Sequence, residues 1–342
     1  MTFAADRKLG GIALLVGVWC FAPAVLTTST RVLVNDVSGD HSGAGVDLDG
    51  ELSVVDGVEF VWQAPAAAKG VLAVLHGCSH RGTDAFPKSA TCAECIGLPI
   101  ETRVVAAALA RGWAVAAVTS EDRRSGCWGR GDAPRVAAAV AHVRAKSGAG
   151  AATATLGASS GGSMATAIPG VVGAVAQIMP SHGPLDGTHP PVRFVHMARD
   201  ERRAAAIARQ LHQLRAAGVD AAELVVHPEP LSAESLHRRG PGPGGLVLPT
   251  EELAAKVFAA LTRGGELDAA GVLTRDPRAS RWRDAVRPVV PASVDSLVPD
   301  ASPLSEVLNA AWAYHEFTDA FLDESLDWLD EKATNHALHL RA

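Results

Sequence analysis

Short apolar runs alternate along the chain with longer stretches in which apolar residues recur every three or four positions. The runs predict strands at 52–55, 58–62, 71–75, 113–118, 153–156, 174–178, 192–195 and 224–226. The helical spacing predicts helices at 101–111, 134–146, 202–217, 251–263 and 319–332. Strands that are apolar through most of their length and alternate with helices indicate a mostly parallel sheet covered by helices on both faces.

Function in such sheets lies at the carboxyl ends of the strands, because the connecting loops meet there. This places on one rim of the predicted sheet the loops that begin at His76, Ser120, Ser159, His182 and Met197. Candidate functional side chains are therefore sought first in these loops.

The pattern divides the chain into five stretches. They are a signal anchor or signal peptide at 1–30, a Gly/Asp/Ser-rich tether at 31–50, an α/β core at 51–240, a helical insertion or cap at 241–303, and the end of the core with a closing helix at 304–342. A Pro/Gly-rich linker opens the insertion, and a small hairpin is predicted at 268–278.

The amino-terminal stretch is distinctive because Arg7-Lys8 precede a charge-free run from Leu9 to Thr30. That length suits one bilayer crossing, which needs about 20 apolar residues. We favour a retained anchor over a cleaved signal peptide, although Ala22-Pro23-Ala24 resembles a processing site. The positive flank would stay cytosolic. This predicts a single-pass membrane protein or passage through the secretory pathway, with an organelle lumen as the alternative.

Composition and motifs argue against several classes of binding partner. The 342 residues carry a net charge of -6 and no dense Lys/Arg stripe, which argues against a nucleic-acid partner. The chain has no G-x-G-x-x-G after a strand, no Walker sequence and no H-E-x-x-H. We therefore expect neither a cofactor nor a metal ion.

Four cysteines lie in two loops of the predicted core, at Cys78, Cys92, Cys95 and Cys127. An even set in an oxidising compartment favours disulfides. Free thiols and a metal knuckle are the alternatives, but one C-x-x-C without a second pair is poor support for zinc.

The sequence Gly157-Ala-Ser159-Ser-Gly161-Gly162 follows an apolar run and precedes a helix of small residues. A G-x-S-x-G at such a bend is typical of a nucleophile held in a strained backbone conformation. The alternative interpretation of Ser159 is a serine that caps the helix.

Taken together, four segments carry a family resemblance: 76–80 after one strand, 157–162 after another, 192–200, and 311–318 ahead of the closing helix. With them the chain resembles the α/β-hydrolase superfamily from about residue 50 to 335, and particularly a little-characterised plant and algal group within it. The resemblance implies an α/β-hydrolase-like sheet and the family's order of serine, acid and histidine.

In this family the serine is the nucleophile, which is Ser159 here. The resemblance also implies an oxyanion hole formed by the backbone amides of Cys78 and Ser160. A disulfide between the two cysteine-bearing loops could hold the Cys78 amide in place.

The resemblance makes Asp200 the acid, with Asp186 in reserve, and a helix-start aspartate is the alternative role for Asp200. Three histidines are candidates for the base. His315 precedes the closing helix, as the family histidine does, whereas His227 follows the last strand directly and His237 lies in a tract that reads as solvated.

These features predict a serine hydrolase that acts on an ester, thioester or amide bond of a small-molecule or acyl substrate. The first alternative is a catalytically silent protein of the same fold that binds or scaffolds a partner. The second is a thiol-redox or metal-binding role for Cys92 and Cys95. Fold alone does not choose among them.

Overall fold

The computed structural model describes residues 46–239, 246–291, 297 and 302–341. The predicted anchor or signal peptide and nearly all of the predicted tether lie outside these residues. Within the described part of the chain, no helix combines the length and the apolar character needed to cross a bilayer.

Eight strands form one sheet. They are β1 (Glu51–Val55), β2 (Val58–Gln63), β3 (Gly70–Leu75), β4 (Trp113–Val118), β5 (Ala152–Ala158), β6 (Gly173–Gln177), β7 (Val192–Met197) and β8 (Ala221–Val226). Their order is β1-β2-β4-β3-β5-β6-β7-β8. β2 pairs antiparallel with β1 and β4, and the other neighbours pair in parallel. The predicted mostly parallel α/β sheet is confirmed.

The helices that the structure describes lie between and after these strands in the sequence. They are α1 (Pro99–Ala110), α2 (Asp132–Ser147), α3 (Ser160–Ala165), α4 (Glu201–Ala216), α5 (Ala233–His237), α6 (Glu251–Arg263), α7 (Trp282–Val286), α8 (Pro303–Trp312) and α9 (Leu322–His339), with a single 3₁₀ turn at Gly82–Ala85. α5 and α8 are helices that the apolar spacing did not predict.

Alternate residues of the central strands belong to two separate apolar clusters, because successive side chains of a strand point to opposite faces. Val71 of β3 packs in one cluster with Val140 of α2. Leu72 packs in the other with Ile100 of α1 and Leu326 of α9. Both faces of the sheet are therefore covered by helices, which explains why the strands are apolar on both sides.

A third apolar cluster belongs to the insertion. It joins Val257 of α6 and Trp282 of α7 to Leu304 and Leu308 of α8. α8 therefore shares an apolar cluster with α6 and α7, and it also contacts α1, where the Ile100 amide donates to Glu306. The predicted hairpin at 268–278 is a short turn with one antiparallel bridge, between Leu267 and Leu273.

The closing helix begins later than the sequence predicts, at Leu322 instead of residue 319. Asp319 is buried and pairs with Arg239 and Arg103, each at 2.8 Å. Phe321 adopts a left-handed backbone with φ 57°. These two constraints keep the residues before Leu322 out of the helix.

Candidate active site

Ser159 occupies the bend between β5 and α3 with φ 53° and ψ −121°. A non-glycine residue at positive φ is strained and persists only where its surroundings enforce it. Here the Ser159 amide donates to the carbonyl of Gln177 at 3.0 Å, which fixes the bend against the end of β6. The half-buried side chain is thereby held at the carboxyl edge of the sheet.

The bend is possible only because glycines flank it. A Cβ on Gly157 would collide with the carbonyl oxygen of Gly161, and one on Gly161 would collide with the carbonyl oxygen of Leu75. A Cβ on Gly162 would lie 2.6 Å from the carbonyl oxygen of Gln177. β5 and α3 therefore approach each other and the neighbouring strands more closely than any other residue would allow.

His315 lies in the loop between α8 and α9, and its ring bridges two of the predicted site residues. Ser159 Oγ is 2.9 Å from His315 Nε2, and His315 Nδ1 is 2.7 Å from Asp200 Oδ2. Because a carboxylate only accepts, Nδ1 carries the proton and Nε2 presents its lone pair to the serine hydroxyl. The structure brings Ser159, His315 and Asp200 together, and their chemical roles stay a prediction.

Asp200 follows β7 and is almost fully buried. Its Oδ1 accepts the backbone amide of Arg203 at 3.2 Å, so the residue caps α4 while its Oδ2 accepts from His315. The two interpretations of Asp200, a helix start and a partner of the histidine, therefore hold at the same time on different oxygens.

The segment 76–81 after β3, here called the oxyanion loop after its predicted role, passes directly beside Ser159. A Cβ on Gly77 would lie 3.7 Å from Ser159 Cβ. In the described part of the chain, the amides of Cys78 and Ser160 donate to no protein acceptor. Ser160 is also the first residue of α3, where helix amides are unsatisfied and carry partial positive charge. Both predicted donors are thus available to an anionic oxygen.

A disulfide between Cys78 and Cys127 ties the oxyanion loop to the loop that follows β4. A second disulfide joins Cys92 to Cys95. The prediction of disulfides is confirmed, and the pairing is new information. Ser160 Oγ lies 3.3 Å from Cys78 Sγ, so the bridge packs against the residue that follows the nucleophile.

The structure combines this sheet order with a strained serine after β5, an aspartate after β7 and a histidine ahead of the last helix. The chain has the α/β-hydrolase fold. Comparison with known proteins adds little to this conclusion. No protein-family model and no curated protein sequence matches the chain.

Solved structures of several esterases are distantly similar. Esterase PE8 is 19% identical over 54% of this chain and 91% of its own, with a TM-score of 0.37. An esterase of Pyrobaculum calidifontis is 14% identical over 54% of this chain and 78% of its own, with a TM-score of 0.39. Thermogutta terrifontis esterase 2 phosphorylated by paraoxon is 15% identical over 63% of this chain and 94% of its own, with a TM-score of 0.39. Likeness at this level carries no argument about function, and the plant and algal qualifier gains no support.

His76, which the resemblance treated only as part of a loop motif, braces the candidate site. Its Nδ1 donates to the carbonyl of Gly77 at 2.6 Å, and its Nε2 accepts the amide of Ser120 at 3.1 Å. Trp128 Nε1 donates to the His76 carbonyl at 2.8 Å. Burial lowers the pKa of His76 to about 4, so the ring stays neutral and keeps both bonds near neutral pH.

Gln177 is a further residue that sequence reasoning missed. Its carbonyl accepts the amide of Ser159, and its side chain bonds the backbone of Thr318 twice, at 2.8 and 2.9 Å. One residue therefore positions both the nucleophile and the segment that follows His315. The only signal in the sequence is an amide at the end of an otherwise apolar strand.

The insertion also reaches the histidine. Arg278 donates to the carbonyl of His315 at 2.6 Å and to the carboxylate of Glu316 at 2.9 Å. Asn309 of α8 donates to the same Glu316 oxygen at 2.9 Å. The loop that carries His315 is thus held from the insertion side as well as from the sheet.

The reserve candidates are not part of this arrangement. Asp186 is exposed and accepts from Thr188 in its own turn, which lowers the pKa of its carboxyl. His237 Nδ1 donates to the carbonyl of Leu248. His227 is exposed just after β8. Among the described residues, no group of His, Cys, Asp and Glu side chains could hold a metal ion.

Proposed function

We propose that the chain is a serine hydrolase that cleaves an ester-type bond in a small-molecule or acyl substrate. The observation that supports this proposal is the continuous line of hydrogen bonds from Ser159 Oγ through the His315 ring to Asp200, with 2.9 and 2.7 Å separations. A serine hydroxyl is a weak nucleophile unless a base takes its proton, and this geometry supplies that base.

In the first half of the reaction, Ser159 Oγ attacks the carbonyl carbon while His315 Nε2 takes the hydroxyl proton. The carbonyl π electrons move onto oxygen, and the negative oxygen accepts hydrogen bonds from the amides of Cys78 and Ser160. Asp200 accepts from Nδ1 and stabilises the imidazolium. Loss of one such amide donor costs about 3 kcal/mol of transition-state stabilisation.

The tetrahedral intermediate then collapses. Its carbonyl re-forms, the bond to the leaving oxygen breaks, and His315 Nε2 gives its proton to that oxygen. The acyl group stays on Ser159 Oγ until water, deprotonated by the same histidine, attacks it. A second collapse returns the proton to Oγ and releases the acid, so the net reaction consumes one water.

Labelling with a fluorophosphonate probe, together with hydrolysis of p-nitrophenyl butyrate, tests the proposal. We expect the probe to label the wild type, and we expect Ser159→Ala and His315→Ala to lose both labelling and hydrolysis. His227→Ala, which removes an exposed histidine outside the site, serves as the control and keeps both. Absence of labelling from the wild type favours the catalytically silent alternative, whereas labelling that survives in Ser159→Ala would show that the reactive nucleophile is another residue.

We also propose that the enzyme resides at a membrane or in the secretory pathway, with an organelle lumen as the alternative. The support is the apolar amino-terminal sequence and the two disulfides, which suit an oxidising compartment. Carbonate extraction of membranes that contain the full chain tests retention of an anchor, because an integral protein stays in the pellet.

A further inference from the structure

A polar pocket of about 190 Å³ lies between the oxyanion loop and the loop that follows β4. Its walls begin at Ser79, the residue after the predicted oxyanion donor Cys78. The Cys78–Cys127 disulfide and the bond from the Ser79 amide to the Ser125 carbonyl, at 2.8 Å, join the same two loops. The pocket is therefore built into the structure that carries the oxyanion hole.

Positive charge dominates the lining of this pocket. Arg81, Arg123 and Arg124 all face it. Arg123 pairs with Glu59 at 2.7 Å. Within the described part of the chain, Arg81 and Arg124 form no salt bridge, although Arg81 contributes to the lowered pKa of Glu59 and Arg124 to that of Asp122. Guanidinium groups bind carboxylates and phosphates through paired, charge-assisted hydrogen bonds, so two of them at one pocket favour an anion.

One carboxylate, Asp122, also lines the pocket, but its oxygens already accept hydrogen bonds from neighbouring residues. They accept the backbone amides of Arg124 and Ser125 at 2.9 and 3.1 Å and the Ser125 hydroxyl at 2.6 Å. These hydrogen bonds lower the pKa of Asp122, and they hold the carboxylate within its own turn. Asp122 therefore shapes the loop without neutralising both arginines.

One residue that lines the pocket carries a buried hydroxyl without a partner among the described residues. Ser120 is fully buried and lines the pocket, and its Oγ has no hydrogen-bond partner among the described residues. Buried hydroxyls are nearly always bonded, so an oxygen from a ligand or water is expected there. His80 lines the same pocket and is protonated at neutral pH, because Asp84 raises its pKa to about 9 against the opposing effect of burial.

The pocket is within reach of a substrate bound at the nucleophile. A Cβ on Gly77 would lie 3.7 Å from Ser159 Cβ, and the pocket wall runs from Ser79 to Arg81 on the same loop. Two to four residues of extended chain span at most about 7 to 14 Å. A substrate group separated from the ester carbonyl by several bonds would span a distance of this order.

We propose that this pocket is a subsite for a carboxylate or phosphate group carried by the ester substrate, with Arg81 and Arg124 as its specificity-determining residues and Ser120 Oγ as a further ligand. The proposal rests on the serine hydrolase function proposed above. It assigns the substrate class as esters with a remote anionic group.

The test compares acidic and neutral substrates of matched shape. The acidic set is the mono-p-nitrophenyl esters of straight-chain dicarboxylic acids of increasing length, and the neutral set is the same esters with the free acid methylated. We expect the wild type to prefer the acidic ester at one range of lengths. In Arg81→Gln/Arg124→Gln, the ratio of kcat/KM for acidic to neutral ester should fall about tenfold or more, since hydrogen bonds to a charged group are lost.

Arg130→Gln is the matched control, because Arg130 is exposed on the loop after β4 but does not line the pocket. It removes one positive charge and should leave the acidic-to-neutral ratio unchanged. An equal fall in this ratio for Arg130→Gln would overturn the subsite in favour of a general effect of surface charge. Hydrolysis of neutral esters with no arginine-dependent preference would also overturn it, while the hydrolase function would stand.

Calorimetric titration of Ser159→Ala with inorganic phosphate separates the remaining outcomes. Phosphate binding that weakens in the triple variant with Arg81→Gln and Arg124→Gln supports an anion pocket independently of turnover. Such binding without any preference for acidic esters would overturn the substrate proposal and leave a site for a free anion. Loss of all ester hydrolysis and probe labelling in the wild type would contradict the hydrolase function itself, and the substrate subsite would fall with it.

Discussion

Asp200 serves a helix and a histidine with separate carboxylate oxygens. Oδ1 accepts the amide of Arg203 at the start of α4, and Oδ2 accepts from His315 Nδ1. Either function would account for an aspartate at this position, and sequence alone presents them as competing explanations. The distinct oxygens allow one substitution to separate the two roles.

We expect Asp200→Asn to abolish most turnover while it preserves folding. Asparagine is as good an N-cap as aspartate, so the free energy of unfolding should change by less than about 0.5 kcal/mol. The side-chain amide cannot hold the His315 tautomer that aspartate holds, and kcat should fall about 10⁴-fold. Thermal unfolding and p-nitrophenyl ester kinetics measure the two effects.

Asp200→Ala is the informative comparison, because it removes the cap as well and should cost a further ~1 kcal/mol of stability. Near-normal kcat in Asp200→Asn would show that Asp200 is only a helix cap. The acid of the proposed reaction would then have to be sought elsewhere.

At the scale of elements, the loop between α8 and α9 depends on contacts from distant parts of the chain. Arg278 of the insertion holds the His315 carbonyl and the Glu316 carboxylate, and Asn309 holds the same carboxylate. The insertion therefore helps to position His315, the proposed base. Arg278 touches no reacting atom and acts only through the loop.

We expect Arg278→Ala to lower kcat about tenfold or more with little change in KM, because small displacements of a catalytic group are costly. Ester kinetics on purified protein measure this split. Arg275→Ala is the control, since Arg275 is 60% exposed and its nearest carboxylate, Glu266, is 3.8 Å away. A rise in KM with constant kcat would instead indicate that Arg278 contacts substrate.

The strands were predictable because their environment is simple. Every residue of β3 and β4 is buried, so a continuous apolar run identifies each strand without knowledge of its neighbours. The Ser159 bend was also predictable, because the glycines that it requires are all close to the serine in the sequence, although Gly161 and Gly162 meet carbonyls of β3 and β6.

The remaining features depend on partners that are distant in sequence. α8 buries its apolar face against α6 and α7 of the insertion, and nothing local to residues 303–312 specifies that contact. Arg278 and His315 are 37 positions apart, and Cys78 and Cys127 are 49 apart. Such pairings follow from the assembled fold, so the sequence supplied candidates for them but could not select among them.

At the scale of the whole molecule, two buried glutamates join α1 to α8. Glu101 lies in the first turn of α1 and Glu306 lies on α8, and the Ile100 amide donates to Glu306 at 3.1 Å. Burial raises the pKa of both carboxyls, and the charge of Glu101 raises that of Glu306 further. The pair therefore keeps a proton at pH values where an exposed glutamate has lost it.

The charged groups around this pair have separate effects. His80 lowers the pKa of Glu101, whereas Asp84 raises it. Glu316 raises the pKa of Glu306. His80 itself has a pKa of about 9, so its own contribution to stability is also lost as the pH rises from 6.5 through 9. A variant at Glu306 compared with the wild type at each pH isolates the glutamate pair from His80.

We expect Glu306→Gln to stabilise the protein relative to the wild type at alkaline pH. The folded wild type binds a proton that the unfolded chain releases above about 4.5, so its free energy of unfolding falls as pH rises through the raised pKa. Glutamine is neutral at every pH and can still accept the Ile100 amide. The stability difference should therefore widen as the pH rises above about 4.5 towards the raised pKa, by at most about 1.4 kcal/mol per pH unit.

Urea unfolding of both proteins across this pH range measures the difference. Glu252→Gln, on the exposed surface of α6, is the control and should follow the wild type at each pH. A constant offset between Glu306→Gln and the wild type would mean that the pair takes up no proton on folding. A widening gap would show that the buried pair takes up a proton on folding.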